Sequence, residues 1–353
     1  MGKKTRVLII DDSMLVRQIL SQGLQEDPDI EVVATACDPY AARDAISVHK
    51  PNVLTLDVEM PKMNGVEFLQ KMMPQCPIPV VMVSSLTERG QKITMDALDA
   101  GAVDFVAKPK ANVAAGLTRM MTELREKVKT ASTVNVSRWL NRSFRTTPQQ
   151  PAGSESLGRR IASQRLIAIG ASTGGTEAIK EVLATFTPDM PGTVVVQHMP
   201  PGFTKMFAER LNGLCSVAVK EAANGDLICD GCVYIAAGGR QLEVAKTPQG
   251  YTIRVFDGPE MCGHRPSVEV MMHSVAKHAG RNAVGAMLTG MGGDGAMGMK
   301  AMRDAGARCI AQDEASCVVF GMPHKALESG GAERAVPLRD ITRTLKSLLG
   351  GRG

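Results

Sequence analysis

Nowhere in the 353 residues does an apolar run approach the ~20 residues that a helix needs to cross a bilayer. The segment from Met1 to Arg6 leads straight into a short β-rich run instead of a signal-peptide core, so a soluble, cytoplasmic protein is expected. Aromatic residues make up only 3% of the chain, and neither an aromatic RNA platform nor a DNA-reading helix pair is recognisable. Nucleic acid is therefore not expected as a partner, although the formal net charge is +5. The eight cysteines are scattered, which favours reduced thiols. Cys229 and Cys232 form the one close pair, with no second pair or histidine cluster nearby, so a turn is expected there and not a zinc or redox site.

What is present is an alternation of short strand-like and helix-like runs. From Arg6 to about Lys129, Val7–Ile10, Val53–Leu56, Val80–Val83 and Phe105–Ala107 alternate with amphipathic stretches, the pattern of a parallel α/β sheet with helices on both faces. The alternation lapses into Ser, Thr, Asn, Gln, Pro and Arg, where residues 130 to 165 hold six arginines, no lysine and one acid, Glu155. This basic stretch reads as a solvated linker. From Leu166 the alternation resumes, with the run from Cys232 to Asp257 expected to form an antiparallel hairpin inserted in a mostly parallel sheet. The expected organisation is thus a domain over 1–129, a linker over 130–164 and a second α/β domain over 165–349.

Within the first domain, Asp11 and Asp12 end the first strand, Asp57 and Ser84 end two others, and Lys108-Pro109 follows the last. Strand ends of a doubly wound sheet gather at one edge, where three carboxylates repel unless a hard cation such as Mg²⁺ sits among them. Asp57 could then attack a phosphoryl donor, with Lys108 offsetting charge and Ser84 donating a hydrogen bond to the product. This set, with Met60-Pro61, Asn64-Gly65 and Ala107-Lys108-Pro109, resembles the receiver domain of two-component response regulators, which has a flavodoxin-like fold. The resemblance implies that Asp57 is the phospho-acceptor, that Asp11, Asp12 and the Glu59 carbonyl help hold Mg²⁺, and that Phe105 is the aromatic switch residue.

In the second domain, Gly170-Ala-Ser172-Thr-Gly174 satisfies the G-x-S-x-G pattern of a strand-to-helix turn that exposes a nucleophilic serine. A P-loop is disfavoured because no Gly-Lys-Ser/Thr closes the loop, and a dinucleotide fingerprint because the glycine spacing differs. His198, ending Thr193-Val-Val-Val-Gln-His, would be the base, and Asp294 in a glycine-rich turn would orient it through Nδ1–H. His324 competes, because Ser172, Asp294 and His324 follow the chain order of α/β-hydrolases.

The stretches Leu166–Gly175, Val196–Pro200, His264–Val268 and Leu288–Gly295 together resemble the catalytic domain of the chemotaxis protein-glutamate methylesterases, the CheB family. The resemblance selects Ser172, His198 and Asp294 over the alternative triad. It further implies an oxyanion hole from the backbone N–H of Met291 and Thr173, and a substrate cleft lined by Thr173, His264 and Arg265. The implied activity is phosphorylation-activated hydrolysis of glutamate γ-methyl esters, with deamidation of particular glutamines, and needs no cofactor for the ester chemistry. The implied partners are methyl-accepting chemoreceptors as substrate, reached by peripheral association only, and a chemotaxis histidine kinase as phosphoryl donor. An unphosphorylated receiver covering the Ser172 cleft is the expected inhibitory device. A transcription-factor regulator and a non-catalytic adaptor are the rival readings.

Overall fold

The computed structural model describes residues 4–60, 63–109, 114–134, 136 and 161–350. Contacts divide the chain into two units, Met1–Ser143 and Phe144–Gly353.

In the first unit five strands, β1 (Thr5–Ile10), β2 (Ile30–Ala36), β3 (Val53–Asp57), β4 (Val80–Ser84) and β5 (Asp104–Ala107), pair in the order β2-β1-β3-β4-β5. Every pairing is parallel. Helices α1 (Met14–Gln25), α2 (Pro39–His49), α3 (Gly65–Met72), α4 (Glu88–Asp99) and α5 (Ala114–Ser132) connect or follow them. β3 and β4 are buried along their whole length, as central strands covered on both faces must be, and this accounts for their mostly apolar character, interrupted only by Thr55 and the strand-end Asp57 and Ser84. Local chemistry starts the helices. Asp38 caps α2 by accepting from the N–H groups of Tyr40 and Ala41, and Asn64 caps α3 by accepting from Glu67 N at 2.9 Å while its side-chain amide donates to Glu67 Oε1 at 3.2 Å.

The second unit is a seven-stranded sheet in the order β14-β13-β12-β6-β7-β9-β8, again with every pairing parallel. Its elements are β6 (Leu166–Ala171), α6 (Gly175–Ala184), β7 (Thr193–Gln197), α7 (Phe203–Leu214), β8 (Ala218–Glu221), β9 (Cys232–Ile235), β10 (Gln241–Thr247), β11 (Gly250–Phe256), α8 (Val268–His278), β12 (Ala283–Met287), α9 (Ala296–Asp304), β13 (Arg308–Gln312), α10 (Met322–Glu328), β14 (Ala335–Val336) and α11 (Ile341–Gly350).

The expected antiparallel hairpin is present, but it stands outside the main sheet and does not include β9. β9 joins the large sheet, whereas β10 and β11 form a separate two-stranded antiparallel ribbon. Leu242, Val244, Tyr251 and Ile253 bury one face of the ribbon, and Val244 N donates to Ser274 Oγ of α8 at 2.8 Å, so the ribbon's partner is a helix and not a sheet edge. Cys229 and Cys232 are buried free thiols at a turn through Gly231, whose φ is +68°. Of the six linker arginines, Arg138, Arg142, Arg145, Arg159 and Arg160 lie outside the described residues; Arg165 donates to the Leu349 carbonyl.

Candidate active site

Strand order decides where the second unit can do chemistry. From β6 the chain crosses to β7 on one side, while β12 and β13 lie on the other, so the order reverses between β6 and β12. Loops leaving the carboxyl ends of such strands diverge and leave a crevice. Ser172 follows β6, His198 follows the neighbouring β7, and Asp294 lies in the loop between β12 and α9.

The three side chains meet. His198 Nδ1 lies 3.1 Å from Ser172 Oγ, and His198 Nε2 lies 2.8 Å from Asp294 Oδ2. The ring nitrogens are therefore used in the opposite sense to the expectation, with Nε2 and not Nδ1 on the carboxylate. His324 is elsewhere, its ring edge-on to Phe320 at 5.7 Å.

Asp294 is 3% exposed and its oxygens are heavily used. Oδ1 accepts from Ser267 Oγ at 2.7 Å and Glu269 N at 3.1 Å, and Oδ2 accepts from Val268 N at 2.7 Å. Burial alone would raise its pKa, but the hydrogen bonds from His198, Ser267 and Val268 outweigh burial and hold it below the usual carboxylate value. Ser267 also caps α8, accepting from Glu269 N and Val270 N, so one serine joins the helix start to the carboxylate. Gln241, 1% exposed, accepts from Ser267 N at 2.9 Å and donates to Pro259 O at 2.9 Å, tying down the loop before α8.

Around Ser172 the packing requires glycine. A Cβ at Gly290 would lie 2.8 Å from Ser172 Cβ and 3.0 Å from its N, so the Gly290–Gly295 loop, including Met291, can pass beside the serine only with hydrogen there. Gly174 has φ +75°, which turns the chain from the serine into α6. Thr289 holds the two loops together. Its carbonyl accepts from Ser172 N at 3.0 Å, its hydroxyl lies 3.0 Å from the Thr173 carbonyl, and that hydroxyl accepts from Val319 N at 2.9 Å. Gln312 Oε1 accepts from Thr289 N at 2.8 Å, and Gln197 Nε2 donates to the Ser172 carbonyl at 3.0 Å.

Thr173 is 4% exposed, with its carbonyl engaged as described. His264 stacks on His198 with ring centroids 3.6 Å apart and planes at 14°, which brings it to the triad itself. Arg265 is exposed and donates to Gly258 O at 2.9 Å.

In the first unit, carboxylate oxygens of Asp11, Asp12 and Asp57 lie within 4.8 Å of one another, among the described residues the only such cluster. Lys108 Nζ is 2.9 Å from Asp11 Oδ2 and 3.0 Å from Asp57 Oδ2. Burial, reinforced by the Asp11 charge, pushes the Asp57 carboxyl up to about 6 against the pull of Lys108. A buried acid pair only partly neutralised by one ammonium suits an oxygen-seeking divalent cation, so the donor set fits the expected ion. Glu59 follows β3, with its side chain exposed and 3.6 Å from Arg89. Ser84 Oγ is 2.6 Å from Thr94 Oγ1, and Phe105 is 3% exposed.

Several residues escaped the sequence reading. Ser267, directly before the helical run of α8, carries a recognisable capping signal. Thr289, Gln312, Gln197 and Gln241 carry none, because their roles depend on neighbours distant in the chain. The same holds for Lys127, whose Nζ reaches Asp104 Oδ1 at 2.9 Å, Glu123 Oε1 at 2.8 Å and the Phe105 carbonyl at 2.6 Å.

Residues 167–345 match the CheB methylesterase family, and residues 7–116 match the response regulator receiver domain. A protein-glutamate methylesterase/protein-glutamine glutaminase of Syntrophotalea carbinolica is 59% identical over 355 residues, covering 100% of this chain and 99% of its own. Its counterpart in Salmonella typhi is 51% identical over 342 residues, covering 97% and 96%. The crystal structure of the Thermotoga maritima CheB methylesterase catalytic domain is 34% identical and superposes with a TM-score of 0.51, covering 52% of this chain and 98% of that one.

Proposed function

The chain belongs to the CheB methylesterase family, and from that premise we propose that Ser172, His198 and Asp294 are the catalytic triad through which it hydrolyses glutamate γ-methyl esters on chemoreceptors. The observation that carries the assignment is His198 bridging Ser172 Oγ at 3.1 Å and Asp294 Oδ2 at 2.8 Å. With Nε2–H on the carboxylate, Nδ1 is free to take the serine proton as Oγ attacks the ester carbonyl. The lowered pKa of Asp294 keeps it ionised to stabilise the imidazolium. The tetrahedral oxyanion is met by the backbone N–H groups of Met291 and Thr173. The imidazolium returns its proton to the departing methoxide, and methanol leaves. Water, deprotonated by His198, then attacks the acyl-serine, releasing glutamate and restoring the serine. Deamidation of a receptor glutamine is the same acyl transfer with ammonia as leaving group. His264 and Arg265 line the substrate cleft with Thr173.

Control is by phosphorylation in chemotactic adaptation, and we assign it to Asp57 in a receiver spanning 1–129, joined by a linker over 130–164 to a catalytic domain over 165–349. A chemotaxis histidine kinase is the phosphoryl donor. Asp11, Asp12, Asp57 and the Glu59 carbonyl would hold Mg²⁺, which when bound screens the charge between donor and carboxylate. Lys108 pairs with Asp57 on the other side and Ser84 donates a hydrogen bond to the phosphoryl oxygen; Phe105 responds as the switch. No described helix is long and apolar enough to cross a membrane, in keeping with peripheral action on receptors from the cytoplasm.

The test is methanol release from methylated receptor membranes by wild type, Ser172→Ala and Asp57→Ala, with and without acetyl phosphate. Release should require Ser172 and should rise with the donor only when Asp57 is present. No release by wild type under any condition would reject the esterase reading in favour of an adaptor.

A further inference from the structure

A cleft of about 420 Å³ lies between the β10–β11 ribbon and helix α8, lined by both elements and by Met261. It adjoins the triad through two connections. Glu269, in its wall, places its backbone N–H on Asp294 Oδ1 at 3.1 Å. Met261 pairs in both directions with the backbone of His264, the residue stacked on His198. From there the cleft follows α8 to its last turn, where Lys277 and His278 stand about 15 Å from the helix start at the usual rise per residue.

The charges in this cleft are unevenly committed. Its two acids are paired, Glu243 with Arg254 at 2.9 Å and Glu269 with His273 at 2.9 Å. Ser274 is also spent, accepting from Val244 N and donating to Met271 O. Lys277 and His278 have no hydrogen-bond or ion-pair partner among the described residues, while Val244, Ala245, Val270 and Met261 give the cleft an apolar lining. A cationic end, an apolar wall and backbone ties to Asp294 and His264 suit a chain that is amphipathic and acidic.

We propose that this cleft is an exosite for the substrate itself, in which Lys277, assisted by His278, receives an unesterified glutamate of the receptor helix while a methylated glutamate occupies the triad. The proposal rests on the esterase reading above, because it takes a protein substrate with several glutamates as given. The length of α8 sets the scale of the spacing: about 15 Å from its start, beside Asp294, is roughly ten residues of a helical substrate, so the second carboxylate is sought two to three turns from the ester. The exosite would make the enzyme prefer receptors already partly demethylated, since each hydrolysed ester leaves a carboxylate able to engage it.

The test uses the full chain and two helical peptides, each with one glutamate γ-methyl ester and with either glutamates or glutamines placed two to three turns away on the same face. Binding is read by fluorescence anisotropy on the Ser172→Ala protein, with and without Lys277→Glu, and turnover by methanol release with Ser172 intact. The glutamate peptide should bind roughly three- to fivefold more tightly than the glutamine peptide at low salt, the size of one exposed ion pair. Lys277→Glu should remove or reverse that preference, and 0.5 M salt should flatten it. His278→Gln should retain most of it. Equal affinity for the two peptides, or a Lys277→Glu variant that weakens both alike, overturns the exosite. Methanol release from both peptides with no preference rejects the exosite alone, whereas no release from either peptide by the Ser172 protein, with acetyl phosphate present, rejects the esterase reading on which the exosite rests.

Discussion

Asp294 illustrates how much a single carboxylate can be asked to hold. Its oxygens accept from His198, Ser267, Val268 and Glu269, so an amide in its place sets a donor against a donor whichever way it turns, and with its nitrogen at the Oδ2 position it faces His198 Nε2. The imidazole would then carry its proton on Nδ1, facing Ser172, and could not act as base. Asp294→Asn is expected to lower kcat by roughly 10³- to 10⁴-fold with little change in KM, read as initial rates of methanol release. Thr289 is a quieter case. Thr289→Val leaves Val319 N without its acceptor and loosens the turn carrying Ser172, which should cost about 1–3 kcal/mol in denaturant unfolding and lower kcat more than it raises KM.

At the scale of elements, helix termini and strand ends carry the function. α8 begins where Ser267 caps it, and its first amides also donate to Asp294, so the helix start and this carboxylate stabilise each other. In the receiver, α5 is pinned to β5 by Lys127. Burial disfavours its charge, yet Asp104 and Glu123 outweigh burial and raise its pKa. Lys127→Met would strand Asp104, which is 8% exposed, without its ammonium. Such a deletion in a buried pair is expected to cost roughly 3–5 kcal/mol, visible as a lower urea midpoint of the receiver transition. Because the same ammonium holds the Phe105 carbonyl, the variant should also show a changed response to acetyl phosphate.

For the molecule as a whole, pH couples the stability of the receiver to its chemistry. The native Asp57 carboxyl titrates at about 6 against an ordinary 3.8, so between these values the native state holds a proton that the unfolded chain has released. Stability contributed by this group is therefore highest below about pH 4, falls as pH rises to about 6 and is level above, a change of roughly 2–3 kcal/mol. Urea unfolding of the receiver without divalent cations should show this slope in wild type and lose it in Asp57→Asn; an equal slope in both would contradict it. Added Mg²⁺ should shallow the wild-type slope by favouring the carboxylate.

Periodicity, turn residues and strand-end placement made the two α/β folds legible from the residues alone, because each depends on neighbours a few positions away. The G-x-S-x-G turn and the Asp11, Asp12, Asp57 and Lys108 positions were legible for the same reason, and the topology of each sheet then had to bring its own set to one rim. Other features depended on contacts across the fold. Which histidine reaches Ser172 follows from β7 lying beside β6, with β12 on the other side of β6. The ribbon left the main sheet because its apolar face found α8. Thr289, Gln312, Gln241 and Lys127 acquire their roles from partners far along the chain, and no local pattern can encode a hydrogen bond whose other half is set by packing.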